Sequence, residues 1–129
     1  GTLNGSPVAC AAGLATLEVL RQPGSYEKIH SNGKRVRDAL VRICADNQVQ
    51  AQMCGEDVVF DVYFTDKQVV NYRDTLAGDG QTMAKFNAGL LERGILKGTQ
   101  KFYPSMVHTD EDVERTIEAF EEVIPRLRA

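Results

Sequence analysis

The run VQAQMCGEDVVFDVYFT (Val49 to Thr65) decides the fold. Within it Val58, Phe60, Val62 and Phe64 alternate with Val59, Asp61 and Tyr63, the period of two expected of a strand with one buried face. The preceding VQAQMC (Val49 to Cys54) is predicted to pair with Asp57–Thr65 as a hairpin across Gly55 and Glu56. A sheet therefore begins in mid-chain, and both flanks switch to helical spacing.

Upstream, Tyr26, Ile29, Gly33, Val36, Leu40 and Ile43 recur at intervals of three and four, with Lys28, Lys34, Arg35, Arg37, Asp38 and Arg42 on the other side. That spacing predicts an amphipathic helix ending near Asp46 and Asn47. RQPGSY (Arg21 to Tyr26) is a break, with Ser25 as the expected cap. Before it, Ser6 and Pro7 form a helix start in which the hydroxyl is expected to accept from the first amides and proline fills a position that needs no donor. The helix should run from Pro7 to Leu20. Its Cys10, Ala11, Ala12, Gly13, Ala15 and Thr16 leave almost no polar face, so it expects protein on nearly all sides.

Downstream, an irregular stretch, DKQVVNYRDTLAGDG, leads into a helix from about Gln81 to Arg93, with Met83, Phe86 and Leu90 inward and Gly94 just past its end. ILK (Ile95 to Lys97) and SMVHT (Ser105 to Thr109) read as short strands. The last helix is the clearest: Thr109 and Asp112 form a capping box, and Val113, Ile117, Phe120, Ile124 and Leu127 make an apolar stripe. The expected class is α+β, with helices on one face of a small, mainly antiparallel sheet.

Composition narrows the partners. The chain has 129 residues, a net charge of −3 and a pI near 5.4, so no global positive field gathers nucleic acid or an anionic bilayer. No apolar run approaches the roughly 20 residues of a membrane span, and no signal-peptide layout opens the chain. A cytoplasmic location is expected. Cys10, Cys44 and Cys54 are an odd set without a C-x-x-C pair, which suits a reducing compartment. His30 and His108 lack metal-ligand spacing, and no metal site is expected.

Few residues carry a chemical signal. Gly78-Asp79-Gly80 lacks the third glycine of a nucleotide loop and reads as a turn. Cys54 and His108 have no orienting third group, and Asp110, Glu111 and Asp112 suit the positive end of a helix better than a cation. The opening loop differs: Gly1, Thr2 and Gly5 before the Ser6-Pro7 helix start bring flexible amides, a hydroxyl and a helix N-terminus together, as a phosphate site needs, although on pattern alone such a loop more often caps a helix and binds nothing.

Three blocks then point to a family. GTLNGSPVACAAGLATLEVL (Gly1 to Leu20), LLERGILKG (Leu90 to Gly98) and KFYPSMVHTDEDVERTIEAF (Lys101 to Phe120), in this order, resemble the C-terminal third of class III pyridoxal-phosphate-dependent aminotransferases, particularly the glutamate-1-semialdehyde 2,1-aminomutase-like branch. The resemblance implies that Gly1 and Thr2 close over the pyridoxal 5'-phosphate of a neighbouring subunit in a homodimer. It implies that residues 1–24 are the loop and helix connecting from a large domain, and that residues 25–129 form the small C-terminal domain beside the cleft for a small-molecule amino substrate. It places the Schiff-base lysine and the acid facing the pyridine nitrogen upstream of the matched region, so no lysine here is assigned as catalytic and the chain alone is expected to be inactive. GTQKFYPSM (Gly98 to Met106) lacks the branch's acidic residue before the His-Thr pair, which makes a transaminase acting on another amino compound a rival; Lys101 or Tyr103 either faces the cleft or serves only loop packing and solvent exposure. The competing reading is a stand-alone, non-enzymatic α+β binding or assembly module, whose first helix would be ordered against its own core.

Overall fold

The hairpin forms, with its two-residue turn displaced by two positions from the one the sequence suggests. The computed structural model describes residues 4–99 and 101–128. In it β1 (Gln52–Glu56) pairs antiparallel with β2 (Val59–Tyr63), Glu56 opposite Val59, so that Asp57 and Val58 make the turn rather than Gly55 and Glu56. Gly55 instead lies inside β1 at φ 110°, where a Cβ would sit 2.4 Å from the Val59 carbonyl oxygen.

The third strand also departs from expectation. Neither Ile95–Lys97 nor Ser105–Thr109 is a strand; β3 is Lys101–Phe102, set antiparallel to β2 with Phe60 opposite Phe102 and Asp61 opposite Lys101. Pro104 closely follows β3 and has no amide to donate, which suits a ladder this short. Ile95 is spent on packing against the core instead.

Around the three-stranded sheet, in the order β1-β2-β3, the helices are α1 (Pro7–Leu20), α2 (Ser25–Asp46), α3 (Tyr72–Thr75), α4 (Gly80–Glu92) and α5 (Asp110–Val123). A 3-10 turn, Ile124–Arg128, ends the described chain, as the missing donor of Pro125 favours. The α+β class holds. α4 and α5 begin as sequence rules require: Asp79 accepts from the Gln81 and Thr82 amides, and Thr109 and Asp112 complete their capping box.

Two expected caps fail. Ser6 precedes α1 but its hydroxyl makes no capping bond, and Gly24, at φ 86°, is the cap of α2. Ser25 is the first helical residue, and its hydroxyl donates to the Val19 carbonyl at 2.9 Å.

Phe60, Phe86, Phe120, Leu40, Leu90, Ile124 and Val62 are completely enclosed. Phe60 stacks on Phe102 at 4.8 Å between ring centroids, and Phe86 lies 6.0 Å from Phe120. Each such side chain contributes about 1.5–3 kcal/mol of burial free energy, so these clustered aromatics hold the helices to the sheet. α2 approaches the hairpin through Gly33, where a Cβ would fall 1.8 Å from the Asp57 carbonyl oxygen. Tyr26, expected on the inner stripe of α2, is exposed.

α1 stands apart. None of its residues is buried, and Val8, Leu14, Leu17 and Val19 are 79%, 64%, 49% and 41% exposed.

Candidate functional site

Among the described residues the start of α1 is one candidate place for a ligand. Gly5 takes φ 90°, turning the chain into Ser6, and the first backbone bond of the helix runs from the Cys10 amide to the Ser6 carbonyl at 2.9 Å. Pro7 has no amide, so Val8 and Ala9 carry the leading donors that helix geometry leaves over. With no bond from the Ser6 side chain and no acid in the first turn, this end keeps its positive character. An anion such as a phosphate fits it. Gly1 and Thr2, the expected phosphate contacts, lie outside the described residues.

A second place is a groove of about 400 Å³ between the Gly94–Pro104 segment, the first half of α5 and α2. α5 presents Asp112 and Arg115 to it, β3 presents Lys101, and His108 sits at the α5 entrance. Asp112 is already engaged: its Oδ2 accepts from the Thr109 amide at 2.8 Å and hydroxyl at 2.9 Å, which holds it below the usual carboxylate range. His108 Nδ1 accepts from the Ser105 amide at 3.1 Å, so in the neutral ring the proton is on Nε2. The Asn32 amide donates to the His108 carbonyl at 3.1 Å and ties α2 to this loop.

Beside the groove lies a pair that sequence reasoning missed. Lys97 Nζ is 3.5 Å from Asp61 Oδ1, with both side chains almost completely buried, and the ammonium sits 5.0 Å from the Phe102 ring centroid. Asp61 Oδ1 also accepts from the Val62 amide at 2.8 Å. Burial pushes Asp61 above the ordinary carboxylate range against the pull of Lys97, and lowers Lys97 below the ordinary lysine range against the pull of Asp61. The one available signal was an acid on the central strand, flanked by Phe60 and Val62 on a strand covered from both sides.

The other sequence candidates resolve into structure. Cys54 faces Asp61 across the hairpin and burial raises its thiol, while His108 is held by Ser105; no hydrogen bond joins the two among the described residues. Asp110 pairs with Arg35 at 2.5 Å, and Asp79, from the Gly-Asp-Gly turn, caps α4. Among the described residues no cluster of three or more His, Cys, Asp or Glu could hold a metal, and no helix is long and apolar enough to cross a membrane.

Comparison with known proteins agrees with this architecture. The family model described as aminotransferase class-III matches residues 1–124. The glutamate-1-semialdehyde 2,1-aminomutase of Methanopyrus kandleri is 36% identical over 130 residues, covering 98% of this chain and 30% of that protein. The chain thus spans about 30% of the length of the curated relatives it matches. Among solved structures, an omega-transaminase from Sphaerobacter thermophilus superposes with a TM-score of 0.88 at 21% identity, over all of this chain and 30% of that one. A structure described as a transaminase with PLP bound gives a TM-score of 0.80 at 23% identity, again over all of this chain and 30% of that one.

Proposed function

The chain belongs to the class III aminotransferase family, and on that premise we propose that it is the C-terminal part of a pyridoxal-phosphate-dependent aminotransferase or aminomutase acting on a small amino compound. Residues 1–24 are the loop and connecting helix from the large domain, and residues 25–129 the small domain. The observation that carries this is α1: a helix with almost no polar face and no buried residue is built to lie against a body other than this domain. A stand-alone module would have packed that helix on its own core.

Bound pyridoxal phosphate supplies an electron sink that lets an amino group move between carbon skeletons. This chain's part is positional. Gly1 and Thr2 would hold the cofactor phosphate of the neighbouring subunit in a homodimer, through a hydroxyl and nearby amides. The open N-terminus of α1 adds a favourable partial charge behind them. The small domain closes one side of the cleft and excludes water, with Lys101 or Tyr103 at the rim in contact with substrate. None of the six lysines is assigned the covalent role, so the 129-residue chain alone is inactive. Its location is cytoplasmic.

The test is cofactor uptake by the full-length protein that carries this segment, followed by absorbance, together with a Thr2→Val variant. Stoichiometric uptake, with the dissociation constant raised about tenfold in Thr2→Val, is expected for the loss of one charge-assisted hydrogen bond. No uptake contradicts the family chemistry; equal affinity in the two proteins contradicts the role of Thr2. The amino compound is identified by screening omega-amino acids and glutamate 1-semialdehyde for turnover.

A further inference from the structure

The groove between Gly94–Pro104 and α5 has more donors than its own residues use. Its charged lining is Lys97, Lys101, Arg115 and Asp112. Two of the four are settled within the fold: Asp112 caps α5, and Lys97 is sealed against Asp61. The remaining two are both cations, on different walls. Among the described residues Lys101, on β3, makes no ion pair, though its charge is felt by Asp61, and Arg115, on α5, donates to the Arg93 carbonyl at 3.3 Å and lies near enough to Asp112 to draw its carboxyl down. His108 adds a third donor, since its Nδ1 is taken and Nε2 carries the proton.

We propose that this groove is a binding site for a small anion with two negatively charged groups, such as a short dicarboxylate or a phosphorylated metabolite, held between Lys101 and Arg115 with His108 donating a neutral hydrogen bond. The volume, about 400 Å³, is that of a small-metabolite site. Arg115 offers a planar fork suited to a carboxylate or phosphate, and Lys101 a compact charge for the second group. Asp61 supports the arrangement from below: it faces Lys101 across the β2–β3 ladder and holds Lys97 in place, so the groove wall carries two lysines without their repulsion opening it. Lys101 and Tyr103 line this groove and are also the residues given to the cleft rim above, so the place of the site in the whole enzyme rests on that reading, while binding itself is read on this chain without the cofactor.

Titration calorimetry of the 129-residue chain with succinate and with inorganic phosphate, no pyridoxal phosphate present, tests it. Saturable 1:1 binding is expected, weakened about tenfold in Lys101→Gln and in Arg115→Gln, and weakened further by salt. Both side chains are exposed, so the variants keep the fold, which circular dichroism verifies. Succinate binding tighter than phosphate assigns a dicarboxylate, and the reverse order a phosphate ester; both support the site. Absence of binding, or binding that neither substitution alters, overturns it.

Discussion

Gly33 and the Asp61–Lys97 pair show how much single positions decide. Gly33→Ala places a methyl on the Asp57 backbone carbonyl, which cannot swing away as a side chain would. The expected cost is about 2–3 kcal/mol, the upper part of the range for overpacking, read as a lower urea midpoint. Asp61→Leu leaves the buried Lys97 ammonium without this carboxylate and is expected to cost about 3–5 kcal/mol, whereas Asp61→Leu with Lys97→Met stays within about 1 kcal/mol of the parent or exceeds it. The pH dependence follows from the directions of the shifts. The folded state holds a proton on Asp61 more readily than the unfolded chain, so stability falls as pH rises from the ordinary carboxylate range through Asp61's raised value. The folded state releases the Lys97 proton early, so stability recovers as pH rises from Lys97's lowered value to the ordinary lysine range. Urea unfolding across pH should lose both limbs in the double variant. Nothing in the sequence pairs Asp61 with Lys97, because the contact spans 36 positions and depends on a loop with no periodicity.

At the scale of elements, the long periodic ones were legible. α1, α2 and α4 fall within a residue or two of their expected bounds, whereas α5 begins at its expected capping box but ends at Val123, leaving Ile124 and Leu127 of its stripe to the 3-10 turn. The hairpin was legible as a pair, but its turn was displaced because Gly55 signalled a turn while serving as a close backbone approach within β1. β3 was misplaced for a different reason: a two-residue strand has no period, and apolar ILK and SMVHT offered stronger β signals than KF. The helices also differ in what they contribute. Phe120→Ala, on α5, empties a fully enclosed site and is expected to cost about 3–5 kcal/mol by chemical denaturation. Leu14→Lys with Leu17→Lys, on α1, touches no core and should shift the same measurement by no more than about 0.5 kcal/mol.

At the scale of the whole molecule, an aromatic core shared by the sheet, α4 and α5 contrasts with α1, none of whose residues is buried. The family is legible because three sequence blocks spanning the chain carry it, and the fold agrees with solved transaminases at a TM-score of 0.88. The groove was not legible in the sequence, because it is assembled from α2, β3 and α5 by tertiary packing, and the Gly1-Thr2 loop lies outside the described residues. The central claim, that α1 is shaped for a larger body, is open to hydrogen exchange followed residue by residue. In the 129-residue chain, amides of Val8–Leu20 should exchange by local fraying, orders of magnitude faster than those of α2 and α5, and in the full-length protein carrying this segment they should reach the protection of the core. Protection of α1 equal to that of α5 in the 129-residue chain would contradict the account.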